Sequence, residues 1–345
     1  METQKLICWA LSDGRRGMEN QALGLAEAVA AGGGIEIVIK KASISGFRAN
    51  LPESLLALSP FSPLSYLTRE SDPLEAPWPD LLIGCGRGAV GLSVAIRRRG
   101  RAMGKPVVTV QTQDPRISPS HFDLSVPPFH DELRGANVLP ILGAPHRVSP
   151  ARLNEEADQW RASVANLPRP LAAVLIGGSS KAYRMTAVAT HTLCDQLLSL
   201  ASGKGYGLAI TASRRTGKAN EAILRERLRG TNIWFWDEAG DNPYFGMLAL
   251  ADHIIVTSDS TNMVTEAAST GKPVHVIHLP GGNTKFDRFH RAMETRGMTR
   301  HFNGDLPTWQ YEPLNEAARI APAIRSLLGL VDQIDAESGE AAIAP

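Results

Sequence analysis

The sequence predicts an α/β architecture of two doubly wound, parallel-stranded domains, and three observations predict it. Short apolar runs alternate with helix-length segments along almost the whole chain. Most of those runs lack polar alternation, which is how strands buried on both faces read. The chain has 345 residues, too many for one ordinary core and about right for two.

In order, the first half offers strands at KLICWAL (5–11), IEIVIK (35–40), DLLIGCG (80–86), PVVTVQ (106–111) and FDLSV (122–126). The second half offers LAAVLIGG (171–178), GLAITAS (207–213), NIWFWD (232–237), HIIVTSD (253–259) and PVHVIHL (273–279). Helix-length segments at 17–31, 88–100, 186–202, 218–229 and 261–270 separate many of them. Strand–helix alternation of this kind builds parallel sheets with helices on both faces. The series breaks at PHRVSPARLNEEADQWRASVANLPRP (145–170), which is charged, proline-flanked and helical in its middle.

The expected organisation is therefore a Rossmann-like N-terminal domain over 1–148, a linker with a helix over 149–170, and a second Rossmann-like domain over 171–312. A terminal helix follows over 313–334, then a loose tail over 335–345 whose residues are small and polar. The stretch NLPESLLALSPFSPLSYL (50–67) has two readings. It is a helix and loop capping the sheet, or an apolar lip against a lipid surface, with the RRRGR run (97–101) facing the same membrane.

Composition narrows the function classes. Hydrophobic residues make up 43% and charged residues 21%, a globular balance, and the formal net charge of +1 gives no case for nucleic acid as a partner. Cys8, Cys85 and Cys194 are far apart and form no C-x-x-C pair, so neither a disulfide framework nor a zinc knuckle is indicated. The apolar run near the N-terminus is too short for a signal peptide, and no run of about 18 apolar residues exists. A cytoplasmic protein is expected, with peripheral contact at the inner face of the membrane left open.

Ligands of doubly wound sheets bind where strand ends meet helix N-termini, and four turns stand out there. LSDGRRGMENQALGLAEA (11–28) carries Asp13 over the sheet end and Gly14 in a tight turn. GCGRGAVG (84–91) contains a literal G-x-G-x-x-G, but it lies well after the first strand, and Gln111 rather than an acidic residue closes the next one. That leaves a nicotinamide dehydrogenase as a distant reading. LIGGSSKAYRMT (175–186) brings Gly177 and Gly178 close to a ligand and offers Ser179 and Ser180 to phosphate. The neighbouring TASRRTG (211–217) adds Arg214 as a fixed cation.

The fourth turn is VTSDSTNMVTEAASTGKPV (256–274). Ser258 and Ser260 lie at a helix N-terminus, which favours an anion. Asp259 precedes Asn262 by three residues, and Asn262 and Glu266, four apart, share one helix face. A carboxylate there can accept both ribose hydroxyls while the helix end holds the phosphates.

This stretch resembles the carboxy-terminal nucleotide-sugar motif of GT-B glycosyltransferases such as the lipid A disaccharide synthase. With SDGRRGMENQALGLAEA, VPPFHDELRGANVLPILGAPHRV (126–148) and LIGGSSKAY, the chain resembles bacterial relatives of the plant "elongated mitochondria" fission factor. The resemblance covers nearly the full length and implies a GT-B-like fold, the two domains facing a central cleft. It implies that Ser258, Ser260, Asn262, Met263 and Glu266 line the donor site, and that Ser179, Ser180 and Arg214 meet the diphosphate. Ser258 stands eight positions before Glu266, where many retaining members of that fold carry a second glutamate, and no D-x-D triplet is present.

The expectation is an inverting, metal-independent transfer from a nucleotide-diphosphate sugar, as co-substrate, to an envelope glycolipid or polysaccharide. No metal site and no further cofactor are expected. Asp13 leads as general base, with His130 in PPFHDE and Asp114 in QTQDPR behind it. Two other readings stand beside it: a nucleotide-sugar epimerase of the same fold, and a non-catalytic, membrane-recruited scaffold.

Overall fold

A computed structural model of the protein describes residues 5–46, 51–58, 62–230 and 232–330. The tail expected over 335–345, the end of the terminal helix and parts of the 50–67 stretch lie outside the described residues. The chain forms two units, one running up to Arg147 and resuming at Asn315, the other spanning Val148–Leu314.

In the first unit β1 (Leu6–Ser12), α1 (Arg16–Ala30), β2 (Ile35–Lys41), α2 (Glu53–Leu58), β3 (Leu81–Cys85), α3 (Arg87–Ala102), β4 (Val108–Thr112) and β5 (Leu124–Val126) follow in order. The five strands pair in parallel in the order β2-β1-β3-β4-β5. β1 is buried on both faces because its side chains alternate between two cores: Cys8 and Ala10 join Leu25, Ala26 and Val29 of α1, while Trp9 and Leu11 join Leu92 and Ile96 of α3. The topology reverses between β1 and β3, the point at which such sheets open a crevice at their carboxyl edge.

The second unit holds α4 (Pro150–Val164), β6 (Leu171–Ile176), α5 (Ala187–Leu198), β7 (Gly207–Ala212), α6 (Lys218–Arg227), β8 (Ile233–Phe235) and α7 (Tyr244–Leu250). It continues with β9 (His253–Thr257), α8 (Thr261–Ala268), β10 (Val274–Ile277), α9 (Thr284–Thr295) and β11 (Thr299–His301). Its strands are parallel in the order β11-β10-β9-β6-β7-β8, the doubly wound dinucleotide order, with the reversal between β6 and β9. α4 lies in the segment read as a linker. It packs on α7 so closely that a Cβ on Gly246 would come 2.4 Å from the Trp160 ring.

The terminal helix α10 (Glu316–Leu327) returns to the first unit, where Ala317, Ile320, Ala321 and Ile324 complete the core beneath α1. Arg325 fastens it, donating from Nη1 to the Val29 carbonyl at 3.0 Å and from Nη2 to the Gly32 carbonyl at 3.0 Å. A cation placed on the exposed carbonyls of a helix end suits the dipole there.

In the 50–67 stretch, Leu56, Leu64, Tyr66 and Leu67 pack on the Trp9–Leu92 core. Of the arginine run, Arg97 is ion-paired with Asp123. No helix among the described residues is long and apolar enough to cross a membrane. All three cysteines are buried free thiols, and burial pushes those of Cys8 and Cys85 up to about 12.

Candidate functional site

In the C-terminal unit the two strands flanking the reversal end side by side, β6 in Gly177–Gly178 and β9 in Ser258–Asp259–Ser260. Asp259 ties these ends together. Thr257 Oγ1 accepts the Gly177 N–H at 2.7 Å and donates to Asp259 Oδ1 at 2.7 Å. Asp259 Oδ2 accepts the Gly178 N–H at 2.9 Å and pairs with Arg215 Nη2 at 2.8 Å. The carboxylate is fully buried, and burial outweighs Arg215, so its pKa lies above the usual value.

The two glycines answer to this packing. A Cβ on Gly177 would sit 2.2 Å from Asp259 Oδ1, and one on Gly178 would sit 2.0 Å from the Arg215 carbonyl oxygen. Sequence reasoning gave their close approach to a ligand; the structure gives it to the protein's own carboxylate and backbone.

The serines are likewise engaged. Ser258 Oγ accepts the Leu279 N–H at 3.1 Å, and its carbonyl meets His290 Nε2 at 2.8 Å, which pins the exit of β10. Ser179 Oγ accepts the Met185 N–H at 3.0 Å, and Ser180 Oγ accepts those of Ala182 and Tyr183 at 3.2 and 3.1 Å. An accepting hydroxyl keeps its own proton to donate, so Ser179 and Ser180 can still serve an anion, whereas Ser258 is fully buried. Arg214, at the end of β7, is exposed and has no ion pair among the described residues.

Ser260 caps α8, its Oγ accepting the Met263 N–H at 3.4 Å, and Asn262 and Met263 follow half-buried on the first turn. Glu266 sits on the second turn, buried beside Val264, Ala267 and Ala268. Its Oε2 accepts a hydrogen bond from Tyr244 Oη at 2.5 Å. Burial pushes Glu266 up to about 7, against the lowering effect of that bond, and holds Tyr244 well above its ordinary value. Sequence reasoning missed Tyr244, which comes from α7 and carries no spacing signal relative to Glu266. It set Arg215 beside Ser213 and Arg214 at the sheet edge without its partner Asp259.

The Glu266 shift makes a pH prediction. Its folded pKa is about 7 against an ordinary 4.5, so between those values the folded state holds a proton that the unfolded chain has lost. The contribution is complete below 4.5 and is lost as pH rises through 7. Glu266→Gln, which stays neutral, is expected to match wild type near pH 4.5 and to exceed it at pH 8 by up to about 3 kcal/mol. Urea unfolding at the two pH values measures this.

In the N-terminal unit the expected catalytic residues occupy the carboxyl edge of one sheet. Asp13 follows β1 and is paired with its neighbour, Arg15 Nη2 standing 2.6 Å from Oδ2. Gly14 turns the chain at φ 79°. Asp114, beyond β4, accepts the Arg116 N–H at 2.9 Å and lies 3.3 Å from Arg116 Nε. His130, beyond β5, packs edge-on against Phe129. Asp13 and Asp114 follow strands two apart in the sheet, and Gln113, beside Asp114, reaches Gln21 of α1 at 3.0 Å.

The G-x-G-x-x-G turn lies against Asp13, whose Cβ is 3.6 Å from where a Cβ on Gly88 would be. Asp13, Arg15, Glu53, Leu56, Arg87 and Gly88 line a hollow of about 370 Å³, and Glu53 is ion-paired with Arg87 across it. Among the described residues no group of three His, Cys, Asp or Glu side chains is placed to hold a metal.

Two parallel doubly wound units define a GT-B-like fold, the fold of the UDP-GlcNAc 2-epimerases. The structure of the Neisseria meningitidis enzyme bound to UDP-GlcNAc aligns with a TM-score of 0.52 at 12% identity, covering 94% of this chain and 91% of that one. The chain belongs to the family described as Mitochondrial fission ELM1, whose profile matches residues 16–328. Mitochondrial fission protein ELM1 of Arabidopsis thaliana is 32% identical over 278 residues, 73% of this chain. The match spans only 64% of that plant protein. Uncharacterized protein RP120 of Rickettsia prowazekii (strain Madrid E) is 26% identical over 365 residues, covering 93% of this chain and 98% of that one.

Proposed function

We propose that the protein binds a nucleotide-diphosphate sugar at the carboxyl edge of its C-terminal sheet and transfers the sugar, with inversion and without a metal, to a hydroxyl of an envelope glycolipid or polysaccharide. The observation that carries the reading is Glu266, a buried carboxyl on the second turn of α8, behind an N-terminus that favours phosphate. In this reading Glu266 accepts the ribose hydroxyls, while Arg214, Ser179 and Ser180 meet the diphosphate. The acceptor oxygen bonds to the anomeric carbon as the bond to the diphosphate breaks. Asp13 takes the acceptor's proton, and the cation and the helix end meet the charge on the leaving group. The envelope acceptor belongs to this reading, and the cytoplasmic site of action, peripheral to the membrane, rests on the spaced cysteines and on the 50–67 and 97–101 stretches.

A second reading, nucleotide-sugar binding without turnover, draws on one observation. Asp13 and Asp114 are each ion-paired with a neighbouring arginine, so neither carboxylate stands free to meet an acceptor hydroxyl. Incubation with UDP-GlcNAc and an envelope extract, followed by NMR of the products, separates the cases. Transfer predicts acceptor-dependent release of UDP, a product of inverted anomeric configuration, and a fall of about 10²- to 10⁴-fold in Asp13→Asn. Conversion of the donor alone, without acceptor, overturns transfer in favour of epimerisation. Binding with no turnover leaves the second reading.

A further inference from the structure

Among the described residues the crossover from β2 to β3 contains one α-helix, the six-residue α2, and that helix packs on α3. Parallel sheets are ordinarily covered on both faces by their crossover helices. On the Trp9 face α3 covers β3 and β4 and reaches β1, whereas the start of β1 and the middle of β2 face the non-helical segment 73–78. Between them lies a cavity of about 710 Å³, a size typical of small-molecule sites.

Its floor is apolar: Ile7, Val38, Trp9 and Trp78, the two indoles edge to face at 6.2 Å. Its rim is charged and mostly cationic, with Lys5, Lys40 and Lys105 against Glu75 and Asp80. Asp80 is already used, accepting the Ile7 N–H at 2.8 Å and standing 3.4 Å from Lys105 Nζ. Lys40 Nζ donates to the Pro73 carbonyl at 3.0 Å and lies 4.8 Å from the Trp9 ring centroid. Neither Lys40 nor Lys5 has a carboxylate partner among the described residues.

We propose that this cavity binds an amphipathic anion, its apolar chain against Trp9, Trp78 and Val38 and its carboxylate or phosphate head on Lys40. A neutral apolar occupant would bury the Lys40 ammonium without a counter-ion, and a cationic one would meet like charge. An anion does neither, and the lysine stems extend the apolar wall. No step of the proposed transfer depends on this site.

The test is calorimetric titration of the whole chain with sodium decanoate, decyl phosphate and decyltrimethylammonium, each below its micellar concentration. Saturable binding of one or both anions, and none of the ammonium compound, is expected. Preference for decyl phosphate assigns a phospholipid-type head, and preference for decanoate a fatty acid. Lys40→Glu should weaken anion binding at least tenfold. Ala76→Trp, at an exposed position, should fill the cavity and block binding while the thermal transition stays in place. Failure of both anions to bind, equal binding of the ammonium compound, or wild-type affinity in both variants overturns the assignment.

Discussion

Gly178→Ala is expected to destabilise the protein by more than about 3 kcal/mol, at the top of the range for overpacking, because the new methyl runs into the Arg215–Thr216 peptide. Its Cβ would stand 2.0 Å from the Arg215 carbonyl oxygen, 2.1 Å from the Arg215 carbonyl carbon and 2.4 Å from the Thr216 nitrogen. No rotamer relieves such contacts. The opposing loop cannot retreat cheaply, since Ser179 N donates to the Arg215 carbonyl at 2.9 Å and Ser213 N to the Ile176 carbonyl at 2.8 Å. Gly203→Ala is the control: the nearest atom to its Cβ is Ser199 Oγ at 3.8 Å, and its effect should stay within about 1 kcal/mol. Urea unfolding followed by circular dichroism compares the two.

Asp259→Ala is expected to lose about 2–4 kcal/mol. Removing one partner of a buried pair leaves the other uncompensated, and Arg215 is partly exposed, which places the loss toward the lower part of that range. The Gly178 N–H and the Thr257 hydroxyl also lose an acceptor. If the loss comes from stranding Arg215, introducing Asp259→Ala into an Arg215→Met background should cost clearly less. An equal cost in both backgrounds would assign the effect to the Gly178 and Thr257 hydrogen bonds alone. Either way Asp259 ties the ends of β6 and β9 together, contacts that sequence reasoning did not give when it set Asp259 among the ligand residues.

Those contacts show what the sequence made legible and what it did not. Every expected strand formed, because an unbroken apolar run such as LAAVLI has no stable place except a sheet interior. β11 escaped notice because two of its three residues, Arg300 and His301, are exposed and leave no apolar run. α9 was missed for a related reason: it buries only Phe289, His290 and Met293. The position of the site was readable, since strand ends followed by glycine, serine and a helix start mark a carboxyl edge. The partners of each side chain were not. Asp259 to Gly178 spans 81 positions and Tyr244 to Glu266 spans 22, and only the folded sheet order sets those contacts.

The central claim is that Glu266 and the α8 N-terminus read a ribonucleoside diphosphate. Calorimetric titration with UDP, GDP, ADP and CDP, each beside its 2′,3′-dideoxy counterpart, tests it most directly. One of them is expected to bind, its dideoxy counterpart at least about tenfold more weakly, and Glu266→Ala to bring the two to the same affinity. Absence of binding by all four, or discrimination against the dideoxy form that survives Glu266→Ala, would contradict it.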